Sequence, residues 1–138
     1  MEHTSPSNRR KPYDIRERLL LFACDVVEAV EFLHKRGPIA RALSYQILEA
    51  GTSAGSNAHE ADSASSRRDF IAKNRIALKE AKETRFRLRV CRNRGYLDSS
   101  FDPLLQESDE IVKILGKIVH TAIKNEARAH PGSLDPKR

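Results

Sequence analysis

Eight cations, Arg67, Arg68, Arg75, Lys79, Lys82, Arg85, Arg89 and Arg92, recur along one stretch of this chain, mostly three, four or seven residues apart. Side chains at those intervals share one side of a helix. A row of guanidinium and ammonium groups on one side is a surface that can follow successive phosphates, by charge and by forked hydrogen bonds. The stretch Ser66–Gly95 holds eleven Lys/Arg against three Asp/Glu, a surplus of eight, whereas the whole chain of 138 residues is only +6. The remaining residues therefore sum to −2, and the basic character belongs to one element.

Other residues suggest chemistry and fail on context. Gly51-Thr52-Ser53-Ala54-Gly55 matches G-x-S-x-G, but that pattern exposes a nucleophile only at a strand–turn–helix elbow. Here it lies inside a helical pattern, so Ser53 is not expected to be a nucleophile. His59-Glu60 with Asp62 has the residue types of a metal site without an H-x-x-x-H pair. His34 and His120 read as helix residues, and Asp109-Glu110 as a solvated pair. No phosphate-cradling G-x-x-x-x-G-K-[ST] occurs. The expectation is a protein with no catalytic residue, no metal and no cofactor.

The elements that must position the cations follow from periodicity. Asp14 caps a first helix over about 15–35, with Ile15, Leu19, Phe22, Ala23, Val26, Val30 and Leu33 inward and Leu20, Val27 and Phe32 widening its apolar surface. Gly37-Pro38 ends it. A second helix spans about 40–61, with Leu43, Ile47, Ala50, Ala54 and Asn57 as its inner stripe. Gly51 and Gly55 inside it cost about 1 kcal/mol each relative to Ala, which close helix approach or a kink would explain. Ser66, with Asp69 three residues on, starts a third helix that runs to about Arg94 and is capped by Gly95. Asp102-Pro103 supplies a cap and a first-turn proline for a fourth helix, which continues to about Asn125 and whose apolar residues cover more than one face.

The fold expected is all-α, an up-down-up-down antiparallel four-helix bundle. A basic N-terminal arm occupies 1–13, the bundle 14–125 and a C-terminal tail 126–138. Apolar arcs too wide for one seam on the first and fourth helices point to a second buried face, hence a homo-oligomer. Cys24 and Cys91 both fall on apolar stripes and read as buried thiols. With no membrane-length apolar run and no apolar leader, a cytoplasmic protein with no membrane partner is expected.

Projected at about 100° per residue, the third helix sorts its side chains. Phe70, Ala77, Ala81, Thr84, Leu88 and Cys91 form a core stripe. The eight cations fill an adjoining arc of roughly 140°, with Ile71, Leu78 and Phe86 among them. Asp69, Glu80 and Glu83 lie on the far flank. Two readings stay open. Either the stripe binds RNA or DNA, with Phe86 placed to stack on a base, or it is a solvated or subunit-facing surface with scattered ion pairs.

Gln46, Ser53, Asn57, Glu60, Asp69, Phe70, Ile76, Ala77, Glu83 and Gly95-Tyr96-Leu97 resemble the pattern of the four-helix bundle proteins encoded in intervening sequences of 23S ribosomal RNA. Lys79-Glu80-Ala81-Lys82-Glu83-Thr84 resembles a variant of it. Ala54, Ala58, Ala61 and Arg87 depart from it. The resemblance implies a pentameric ring of bundles. It extends to accessory proteins of diversity-generating retroelements, which implies nucleic acid and a reverse transcriptase as possible partners. It singles out Asn57, Glu60 and Glu83 as a structural polar motif, expected to fasten the corner between the second and third helices, with Asn57 on backbone and Glu60 on Arg67, Arg68 or Lys73.

Overall fold

The computed structural model describes residues 11–131, all helix and connection, with no strand among them. Residues 1–10 of the expected arm and 132–138 of the expected tail lie outside the described residues. Four helices form: α1 (Ile15–His34), α2 (Pro38–Asp62), α3 (Arg67–Asn93) and α4 (Asp102–Ala129), with a 3-10 turn at Ser99–Phe101 before α4.

The ends are set by local chemistry. Asp14 accepts the Arg16 N–H and caps α1. Gly37, at φ 105°, turns the chain into α2, with Pro38 in the first helical turn; an L side chain resists that angle. Ser66 Oγ accepts the Asp69 N–H and caps α3. Past the other end of α3, Gly95 at φ 77° allows its N–H to reach the Arg92 carbonyl while the Tyr96 N–H reaches Cys91, the paired bonds of a Schellman ending.

Two boundaries differ from the sequence expectation. Asp102 is not a cap but the first residue of α4; Asp98 instead caps the preceding 3-10 turn through the Ser100 N–H. A short turn there lets Phe101 reach Phe32 of α1, ring centroids 5.0 Å apart. Helix α4 also runs four residues beyond Asn125, because Glu126 is buried and faces Arg67, so 126–129 belong to the bundle rather than to the tail.

Helices adjacent in sequence pack side by side, and α1 and α4 close the bundle with a sparser contact. Their shared core includes Leu19, Phe22, Val26 and Leu33 of α1, Ile47 of α2, Leu88 and Cys91 of α3, Leu97, and Ile111 and Leu115 of α4. Each large apolar side chain buried this way contributes about 1.5–3 kcal/mol over exposure. Burial holds the Cys91 thiol up at about 11. Cys24, expected to be buried as well, is exposed, since α1 presents that side to solvent.

On α2 the inward face is made of small residues. Ala40, Ser44, Ala50, Gly51, Ala54, Gly55, Ala58 and Ala61 are buried with Ile47, whereas Leu43 and Asn57 of the expected stripe are only half-buried. The stripe is rotated from expectation because α2 packs against two helices, α1 and α3, and small side chains admit both. Close approach explains Gly51: a Cβ there would sit 2.7 Å from Val26 Cγ1, while one at Gly55 would meet nothing nearer than 3.5 Å.

Gly51→Ala is therefore expected to lower stability, the overpacking cost of about 1–3 kcal/mol exceeding the propensity gain of about 1 kcal/mol. Gly55→Ala is expected to raise it by up to that propensity gain. Denaturant midpoints of the two variants check the contrast, and equal shifts would contradict it.

Asp14 supplies a pH prediction. The Arg16 guanidinium, aided by its backbone N–H, holds the Asp14 carboxyl down at about 2. A depressed folded-state value means stability present above the ordinary carboxylate range and lost as pH falls from about 4 to about 2. Asp14→Asn keeps an acceptor for the cap but does not titrate, so its thermal midpoint is expected to fall less than that of the wild type across that window.

Candidate functional site

The eight cations do not form one surface. Three face α4. Arg67 Nε lies 3.5 Å from Glu126, Arg85 3.6 Å from Asp109, and Arg92 Nε donates to Asp102 at 2.8 Å. These pairs run in opposite directions along the two helices and set the antiparallel register of α3 on α4. Glu126 is buried, so its pair with Arg67 satisfies a carboxylate that would otherwise be costly.

The other five point outward. Arg68, Arg75, Lys82 and Arg89 are separated by seven residues each, and Lys79 stands seven before Phe86. Heptad spacing on a straight helix drifts only about 20° per repeat. The four span about 31 Å of the axis in one slowly turning row. Arg68, Lys79, Lys82 and Arg89 are exposed, and Arg75 is half-buried and has interactions of its own. Arg68, Lys82 and Arg89 form no ion pair among the described residues. No carboxylate stands within this arc of α3. On α4, Lys117 lines a groove together with Phe70 of α3, and exposed Lys113 precedes it by one turn.

Of the three apolar residues among the cations, Ile71 is buried and belongs to the core. Leu78 is half-buried against the core. Phe86 alone stands out, 67 % exposed. Phe70, expected in the core stripe, is half-buried, and Asn74 takes an inward place instead.

The polar motif residues separate. Lys73 Nζ donates to Glu60 at 2.9 Å, tying α2 to α3. Asn57 Nδ2 donates to the Ser53 carbonyl within its own helix. Glu83 lies 3.6 Å from Arg87, one turn along α3. Glu83 also shares a recess with Gln46, Glu49, Glu80 and Arg87. Burial there, with the charges of Glu83 and Glu49, raises the Glu80 carboxyl above its ordinary value. Ser53 lies mid-helix, and its neighbours form no triad with it. Among the described residues no group of His, Cys, Asp and Glu is arranged to hold a metal ion, and no helix is long and apolar enough to cross a membrane.

Sequence reasoning missed one cluster. Arg18 of α1 forks onto Glu107, at 2.8 and 2.7 Å, and reaches Glu110 at 3.2 Å. Lys11 pairs with both carboxylates, and Glu110 is held below its ordinary value first by its hydrogen bond to Lys11. Glu107 is buried. The signal was present: Glu107 falls on the same helical stripe as Leu104, Ile111 and Leu115, and a carboxylate on an apolar stripe needs a partner.

A model of the 23S rRNA-intervening sequence protein family matches residues 12–117. The chain belongs to that family. The match spans α1, α2, α3 and the first part of α4, so the helix carrying the cations lies wholly within it. Among solved structures, a protein of unknown function from the S23 ribosomal protein family of Bacteroides thetaiotaomicron is similar, with 37 % sequence identity and a TM-score of 0.71. The similarity covers 77 % of this chain and 98 % of that one. No curated protein matches the chain.

Proposed function

We propose that this member of the 23S rRNA-intervening sequence protein family is a non-enzymatic, self-associating helical bundle that binds nucleic acid, RNA or DNA, through the outward cations of α3. One observation carries the reading: Arg68, Lys79, Lys82 and Arg89 stand exposed in an arc of α3 that holds no carboxylate. The cations with which α3 packs on α4, Arg67, Arg85 and Arg92, each face a carboxylate. The outward group repels itself unless anions lie over it, and evenly placed phosphates are such anions.

Affinity for mixed-sequence RNA and DNA is expected to fall linearly with salt on logarithmic axes. Lys82→Glu with Arg89→Glu is expected to reduce that slope by about 1 for each phosphate no longer neutralised, without changing the oligomer. Loss of the assembly in this variant would make the stripe a subunit or protein interface. That outcome favours the alternative, an interaction scaffold or accessory subunit, for example of a reverse transcriptase.

Self-association has its own support. Glu17, Leu20, Cys24, Val27 and Glu31 are all exposed and alternate by three and four residues along α1, an apolar seam with a carboxylate at each end. On α4, Gly116, Val119, Ile123 and Ala127 line a groove edged by His120, Lys124 and Arg128. Seam and groove are opposite in charge and lie on different helices, so copies would join head to tail, an arrangement that forms a ring where the rotation between copies closes, as the pentamer implied by the resemblance requires. Lys124→Glu with Arg128→Glu is expected to dissociate the assembly, and adding Glu17→Lys or Glu31→Lys, at whichever end of the seam meets these cations, to restore it. Light scattering after size exclusion reads each, and failure of both single additions to rescue would refute this pairing. The exposed Cys24 thiol suits a reducing compartment such as the cytoplasm.

A further inference from the structure

We infer that the nucleic acid taken by α3 is single-stranded, with an unpaired base stacked on Phe86; this rests on the nucleic-acid reading above. Phe86 is 67 % exposed and makes no ring or cation–π contact among the described residues. Lys82 stands one turn before it and Arg89 one turn after it, both exposed, with Lys79 two turns before. The ring is thus bracketed along the helix by groups suited to consecutive backbone phosphates.

A duplex cannot use this arrangement. Its major groove, about 12 Å wide, admits a helix of about 10–12 Å only when that helix projects alone. Helix α3 does not project: it is packed against α2 on one side and α4 on the other. A duplex would meet the surface at its phosphate rims, where the cations act and an aromatic face has no base to cover. A single strand offers phosphates to the cations and a free base face to the ring together. The sugar does not enter this contact, so the chemistry is shared by RNA and DNA single strands.

The test measures binding of labelled single strands of mixed sequence, as RNA and as DNA, and of their blunt duplexes, to the full-length protein. The wild type is expected to prefer a single strand of one or both sugars. Phe86→Ala is expected to weaken single-strand binding by about 5- to 150-fold, the loss of one stacked base, with the salt slope and duplex affinity unchanged. Phe86→Trp should retain the affinity and Phe86→Leu should not. Equal binding of duplex and single strand by the wild type would overturn the inference. So would a Phe86→Leu variant as tight as wild type, or a smaller assembly in Phe86→Ala, which would make the ring a subunit contact. In those outcomes a salt-dependent affinity sensitive to Lys82→Glu leaves the broader reading standing, whereas no binding of either form removes both.

Discussion

Helix α3 carries ten Lys and Arg in 27 residues and must still pack against two neighbours. That constraint organises the rest of the molecule. A cation pressed against another helix needs a carboxylate there, and each neighbour supplies one where it is required: Glu60 on α2 for Lys73, and Asp102, Asp109 and Glu126 on α4 for Arg92, Arg85 and Arg67. Asp102, Asp109 and Glu126 of α4 are therefore matched to basic residues of α3, while Glu107 and Glu110 answer Arg18 and Lys11. The surplus of charge in one helix is balanced where helices meet and stands without an ion pair among the described residues at Arg68, Lys82 and Arg89 of the outward face.

Exposed ion pairs are weak, with a median of about 0–1 kcal/mol, so their role here is register more than stability. Glu107 and Glu126, two of the buried carboxylates, differ. Glu107 is held by a forked Arg18 and Glu126 by Arg67, and removing either partner leaves a charge in a poorly solvated place, which is strongly destabilising. Arg18, with Lys11 just before α1, ties α1 to α4, which meet more sparsely than helices adjacent in sequence, and Arg67 attaches the start of α3 to the last turns of α4. Apolar packing holds consecutive helices together, and charge fastens the ends.

Much of this was legible in the residues. The four helices, the Gly95 ending of α3 and the Ser66 cap follow from spacing and residue type alone, because each is a local effect; that Gly51 rather than Gly55 makes the close approach needed the position of Val26. What was not legible depended on which neighbour a face meets. Cys24 and Cys91 lie on apolar stripes of equal quality, yet one is exposed because α1 buries only part of its arc within a single chain. Ile71 projects among the arginines at 100° per residue and is nevertheless core, since α3 is covered on two sides. Asp102 has the sequence of a cap and the position of a first-turn residue, because a 3-10 turn capped by Asp98 takes up the chain ahead of it. The division of the eight cations into inward and outward sets was beyond the angular projection for the same reason: projection gives the angle of a side chain but not the positions of α2 and α4.

The recognisable family pattern and the proposed binding surface consequently lie on different residues. Asp69, Ala77 and Glu83 of the recognisable pattern lie at the cap, in the core and on the far flank of α3, where they serve the helix itself. Arg68, Lys79, Lys82, Phe86 and Arg89 lie on the remaining face, which no packing requirement of the single chain constrains. A scaffold can keep the first set for folding and vary the second without loss of stability, since exposed substitutions away from caps and cores change it by only about 0.5 kcal/mol either way. The outward face of α3 is thus the part of the bundle most free to be shaped by a ligand. A bare aromatic ring among unbalanced cations is hard to account for by folding alone, because burying it or replacing it with a polar residue would be at least as stable in the isolated chain.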